Sequence, residues 1–168
     1  MTYASSEVLK DCLVAYTLLE EEKDLERWRV HWAGAVALLR TIGHVLEKVD
    51  GKNPKYKTAV KSAYESWKAD REKHAIFWEF IVAERNNILK EYRFNLHSND
   101  EVGIAYRLNL RNVVTGEPLE ISDAVFLDEN IYRPALDGFR EGDDVRDIYG
   151  DALEWWAQEL DKIDAAAG

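Results

Sequence analysis

At 168 residues, with 46% apolar and 32% charged side chains, the chain suits one domain with a full hydrophobic core and is too apolar to be disordered. Its formal net charge of −10 opposes broad nucleic-acid binding, and a single cysteine, Cys12, excludes an internal disulfide framework or a multi-cysteine metal site. The opening lacks a basic region followed by an apolar one, and the longest uncharged apolar stretch, Val30 to Leu39, is half a membrane span; a cytoplasmic protein with no membrane association is expected.

The first helix is predicted from Ser5 or Ser6, as N-cap, to Glu22, with Leu9, Cys12, Leu13, Tyr16 and Leu19 inward. In the second, Leu25, Trp28, Trp32, Ala35, Leu39, Ile42, Leu46 and Val49 recur in steps of three and four. It should end at Asp50-Gly51. Asn53-Pro54 then starts a third helix, running to Arg71 with Tyr56, Val60, Ala63 and Trp67 inside. A fourth is expected from His74 to Arg93. Beyond it the period changes: Val102, Ile104, Tyr106, Leu108 and Leu110 alternate as in a strand. Thr115-Gly116-Glu117-Pro118 is a turn, and Leu119 to Leu127 resumes the extended pattern. A lone hairpin is marginal, so this one, at about 102–127, should pack on the helices or pair across a dimer. A last helix is expected from Asp143, with Val145, Ile148, Ala152, Trp155 or Trp156, and Ile163 inward and a frayed end at 165–168. Trp155 and Trp156 cannot both face inward on one helix, so one should mark an interface or lie under the hairpin. The fold class is mainly α: one domain over 1–168, a bundle of about five helices with an inserted hairpin.

Charge is unevenly spread. Residues 52–93 carry 10 positive and 6 negative charges, net +4, and residues 141–168 carry 2 and 9, net −7. The positive segment holds Glu84-Arg85-Asn86-Asn87-Ile88-Leu89-Lys90-Glu91-Tyr92. Arg85 and Tyr92, seven apart, lie nearly in line on a helix, with Ile81, Ile88 and Leu89 on or beside that line. An arginine on a packing face needs compensation, from a ligand or from a buried carboxylate such as Glu20 or Glu79.

This segment resembles the HEPN superfamily, α-helical bundles that are often dimers. Their motif is Arg, a polar residue that is frequently Asn, and a His four to six residues beyond the Arg; one toxin branch has Arg, four residues, His, one residue, Tyr. Here Arg85, Asn86 and Tyr92 match in type and spacing, and Lys90 stands where the His belongs. The resemblance implies a homodimer and either metal-independent RNA cleavage, in a prokaryotic defence or toxin–antitoxin setting, or a catalytically inactive relative that contacts RNA or nucleotide. By that analogy Arg85, Asn86 and Lys90 are the catalytic candidates, and Tyr92 and Arg93 are binding candidates. No metal or cofactor is implied. A lysine, with a reference pKa of about 10.4, serves as a base near neutrality only if strongly depressed, so Lys90 reads better as a phosphate contact or a solvated residue. His97, four residues beyond Arg93, is an alternative imidazole, although Ser98, Asn99 and Asp100 suggest the helix has ended. His31 and His44 read as packed or surface residues of the second helix, and His74 as a capping or surface residue. His44 and Glu47 lack the second pair that a di-metal bundle needs. A second function class is a non-enzymatic immunity protein or antitoxin whose acidic C-terminal helix binds a basic protein partner.

Overall fold

The computed structural model describes residues 1–95, 103–126 and 132–168. Helices α1 (Tyr3–Glu21), α2 (Leu25–Lys48), α3 (Pro54–Ala69), α4 (Ala83–Glu91) and α5 (Val145–Ala167) carry most of the chain. A seven-residue π-helix, Ile76–Val82, leads directly into α4. The strands β1 (Gly103–Arg111) and β2 (Pro118–Phe126) form one antiparallel ribbon. Helix α1 packs on α2 and α5, α3 on α5, and α4 on α2. Among the described residues, no helix is long and apolar enough to cross a membrane.

The expected apolar stripe of α2 is the spine of the core. Trp28, Trp32, Ala35, Leu39, Ile42 and Leu46 are all buried, and only its last residue, Val49, is exposed. The helix begins at the Asp24 cap, whose side chain accepts the Arg27 amide, just as Asn53 caps α3 and Asp144 caps α5. Trp28 and Trp32 stack at 5.5 Å, and Trp32 meets Tyr149 of α5 at 6.0 Å. The Tyr149 hydroxyl donates to the Ala35 carbonyl of α2 (3.2 Å) and the Cys12 carbonyl of α1 (3.4 Å), joining three helices at one atom. Cys12 is fully buried, as its apolar run suggested, and burial pushes its thiol up to about 12.

The start of α1 differs from the expectation. Ser5 and Ser6 lie inside the helix, and Thr2 precedes it without a side-chain cap. The missing cap comes from another element. Asp50, after α2, accepts the Ala4 amide (3.2 Å), the Ser5 amide (2.9 Å) and the Ser5 hydroxyl (2.6 Å). A carboxylate from a neighbouring segment satisfies the first N–H groups and faces the positive end of the helix dipole. Leu13, expected inward, is 51% exposed.

At the other end, α5 runs to Ala167 and does not fray at 165, because Ala167 packs against the core and alanine favours helix. Trp155 and Trp156 are both internal, against expectation. Trp156 is fully buried, and Trp155 lies at the edge of the same aromatic cluster, 5.3 Å from Phe77 and 5.1 Å from Trp67. The Trp155 indole donates to Nδ1 of His74, which is buried rather than a surface residue.

The hairpin is present at the expected place, but its apolar face rests on no helix among the described residues. Asn112, whose side chain accepts the amides of Val114 and Thr115, starts the turn, and Gly116 takes the positive φ that closes it. The outer ends of the two expected strands, Val102 and Leu127, lie outside the described residues, as does His97.

Asp50→Ala should unravel the first turn of α1 and leave the buried Ser5 hydroxyl without its acceptor. The expected cost is about 2 kcal/mol, read as a lower urea midpoint with an unchanged slope. An unaltered midpoint would show that Asp50 does not cap α1.

Candidate functional site

The buried stripe of the fourth helix keeps Ile81 and Ile88 from the line anticipated beside Arg85 and Tyr92, but is turned by one residue toward Glu84 and away from Arg85, Leu89 and Tyr92. Glu84 and Ile88 are buried, whereas Leu89 is 57% and Tyr92 72% exposed. The helix ends at Glu91, and Tyr92 adopts a left-handed conformation (φ 49°) that throws it off the helical line. Its ring lies edge-on to Phe94 at 5.3 Å. The reason for the rotation is hydrogen bonding. Glu84 is the residue that can be buried, because its Oε1 accepts the Trp32 indole N–H of α2 (3.2 Å) and the Asn95 amide (3.3 Å). Even so, burial pushes its carboxyl above the usual range, against the pull of Trp32, Asn95, Asn87 and Arg93.

This rotation divides the predicted site residues between two sides of α4. On one side, Glu84, Asn87 and Arg93 line a cavity of about 250 Å³ with Trp32, Asn95 and Phe139. Arg93 donates to Oδ1 of Asn87 at 3.4 Å and lies 3.8 Å from Glu91. On the other side, Arg85 is half-buried and donates from Nη1 to Oδ1 of Asn86 at 3.1 Å. Neither carboxylate considered for it is its partner: Glu20 pairs with Arg146 at 3.7 Å, and no ion pair joins Glu79 to Arg85 among the described residues. Lys90 is exposed on the last turn of α4.

Arg85 instead lies within electrostatic reach of α2. His44 is held below its ordinary 6.5, first by desolvation, then by the positive fields of Arg40 and Arg85, with a smaller contribution from Lys48 and an opposing one from Glu47. Arg40 and His44 are one turn apart on α2, and the Arg40 guanidinium lies over the Phe77 ring at 5.6 Å. Glu47 is engaged by Lys48 at 2.7 Å. The cluster of Arg40, His44, Lys48, Glu47 and Arg85 is therefore net positive in a protein of net charge −10. Such a patch, with a half-buried guanidinium and an imidazole that favours its neutral form, suits a phosphate group and the movement of one proton.

Sequence reasoning singled out Arg85 and Asn86 and read His44 as a packed or surface residue, which its exposure bears out, but did not link His44 with Arg40. The signal was their spacing of four on α2, beside a helix whose own motif lacks an imidazole. Among the described residues, no group of three or more His, Cys, Asp or Glu is arranged to hold a metal. No family model matches the chain, and no curated protein or solved structure is significantly similar to it.

Two measurements test this geometry. The Glu84 carboxyl is raised in the folded state, so the folded protein binds that proton more tightly than the unfolded chain. Its contribution is complete below the unfolded value and lost as pH rises through the folded one. Glu84→Gln keeps an acceptor for Trp32 and removes the charge. Its urea midpoint should exceed that of wild type at pH about 8, with the gain shrinking toward pH about 4; a pH-independent difference would contradict the assignment. For the other side of α4, removing either positive neighbour should raise the His44 pKa toward 6.5, so an NMR titration of Arg40→Ala and Arg85→Ala should show both shifts. A His44 titration indifferent to Arg85→Ala would separate the two helices' groups.

Proposed function

We propose that this chain is a divergent HEPN-like protein of a prokaryotic defence or toxin–antitoxin system that contacts RNA or nucleotide phosphate at the α2–α4 patch. The observation that carries this reading is that α4 packs on α2 with Arg85, from the motif-like segment, within electrostatic reach of His44, one turn from Arg40. Arg85 and Arg40 are the phosphate contacts, and Asn86 orients Arg85 through the 3.1 Å hydrogen bond. His44 takes the place that Lys90 leaves unfilled. A neutral imidazole near pH 7 accepts the proton of a ribose 2′-hydroxyl as its oxygen attacks phosphorus. The bond to the 5′-oxygen then breaks, that oxygen takes up a proton, and a cyclic phosphate and a 5′-hydroxyl result. No metal is required. Lys90, exposed, is a peripheral phosphate contact.

The acidic C-terminal region supports a second reading, a basic protein partner. Its charge is partly committed to the fold: Asp144 and Glu159 are buried, and Arg140 binds Asp143 and Asp151. The acids that favour this reading are Asp147 and Glu154, beside the apolar groove formed by Leu9, Leu13 and Leu153 between α1 and α5.

Purified protein and a labelled mixed RNA pool in chelator decide between the two. Arg85→Ala should weaken RNA binding by at least about tenfold, the scale of one charge-assisted hydrogen bond. His44→Ala should abolish formation of cyclic phosphate ends while leaving binding within about threefold, and Lys90→Ala should change both little. A folded wild type that neither binds nor cleaves the pool would falsify the reading and favour the protein partner.

A further inference from the structure

The hairpin register places seven large apolar residues, Ile104, Tyr106, Leu108, Leu110, Leu119, Ile121 and Val125, on one face. Ile104 is paired with Val125, Leu108 with Ile121, and Leu110 with Leu119; the fourth pair on that face, Tyr106 with Asp123, is the one that carries polar groups. The opposite face holds Arg107, Asn109, Glu120 and Ser122, with an ion pair of 3.0 Å between Arg107 and Glu120. Seven apolar-face side chains, Asp123 excluded, are between 38% and 52% exposed, and neither strand edge is paired among the described residues. A two-stranded ribbon is marginally stable on its own, and this one has no helix beneath it among the described residues. The face needs an occupant.

We infer that the occupant is the same face of a second copy of this chain, the two ribbons stacked face to face about a twofold axis that runs along the strands and between them. The register itself is self-complementary under that operation. An axis in this direction lays β1 of one copy over β2 of the other, and each residue falls over the equivalent of its own cross-strand partner. Ile104 then faces Val125 of the second copy, Leu108 faces Ile121, and Leu110 faces Leu119. Tyr106 faces Asp123, so the carboxylate on the apolar face meets a phenolic donor. Sheets pack about 10 Å apart, a gap that one tyrosine and one aspartate together bridge. A twofold axis across the strands instead lays β1 over β1 and sets Asp123 against Asp123 when it crosses that residue, leaving two carboxylates facing each other in an apolar layer.

The area agrees. Seven half-exposed side chains offer roughly 500 Å² per copy, so stacking buries roughly 1,000 Å² in total, the lower bound of a specific interface. Two copies of a protein of charge −10 repel, and this face is where each presents one acidic group among apolar neighbours. The inference does not rest on the proposed RNA contact.

The oligomeric state of the full chain tests it, by light scattering and sedimentation from about 1 to about 100 µM. Wild type should be a dimer at the upper end. Leu108→Glu should raise the dissociation constant by about a hundredfold or more, with an unchanged helical circular-dichroism spectrum because the hairpin does not support the bundle. Orientation is read with single-cysteine surface variants and a short bismaleimide: Leu110→Cys alone should cross-link between copies because the turn ends of the two ribbons coincide, and far more than Leu110→Cys cross-links to Ile104→Cys in a mixture, since those positions lie about 20 Å apart along the strands. A monomeric wild type overturns the inference and leaves the face to a different protein. A dimer indifferent to Leu108→Glu, or cross-linking between Leu110→Cys and Ile104→Cys as strong as that of Leu110→Cys alone, overturns it equally.

Discussion

Two buried carboxylates that accept indole N–H groups hold four of the five helices in register. Glu84 of α4 receives Trp32 of α2 at 3.2 Å, and Glu159 of α5 receives Trp67 of α3 at 2.6 Å, with Lys162 on its second oxygen. An indole buried without an acceptor, or a carboxylate without donors, costs about 1–3 kcal/mol or more. Neither member of a pair can move to another rotational setting of its helix without leaving its partner unsatisfied. Apolar packing brings the helices together, and these bonds select which residues of each helix face inward.

The polar face that results on α4 is a consequence of that selection. With Glu84 inside, Arg85 is set one position around the helix, toward α2, where Arg40 and His44 already lie. At the other end of the bundle, Arg146 and Asp144 show how this chain handles a charge pair that serves structure. Burial favours the protonated acid, but two guanidinium hydrogen bonds, at 2.9 and 2.6 Å, and the backbone N–H groups of Arg146 and Arg133 outweigh it and hold Asp144 below its ordinary 3.8. Arg85 has no such closed partnership among the described residues; its hydrogen bond is to a neutral amide, that of Asn86.

Much of the fold was legible in the sequence. The α2 stripe, the Asn53-Pro54 start of α3 and the alternation of the hairpin are local periodic signals, and each appears where expected. What escaped depends on contacts between distant residues. Asp50 caps a helix 45 residues away, which no inspection of Ser5 and Ser6 could show. Trp155 enters the core because His74, 81 residues earlier, accepts its indole N–H. The rotation of α4 follows from Trp32 in the same way. For the candidate site, Arg85 and Asn86 were singled out as a linear pattern, and the nearness of Arg40 and His44 to it was not, since that relation exists only after α2 and α4 pack.

Cys12 sits at the junction of α1, α2 and α5, fully enclosed, with its thiol held up to about 12. Reagents attack thiolates, and this one is neither ionised near neutrality nor reachable while α1 remains docked. The chain therefore carries a built-in clock: the rate at which Cys12 is alkylated reports how often the first helix separates from the other two, without any label added to the protein.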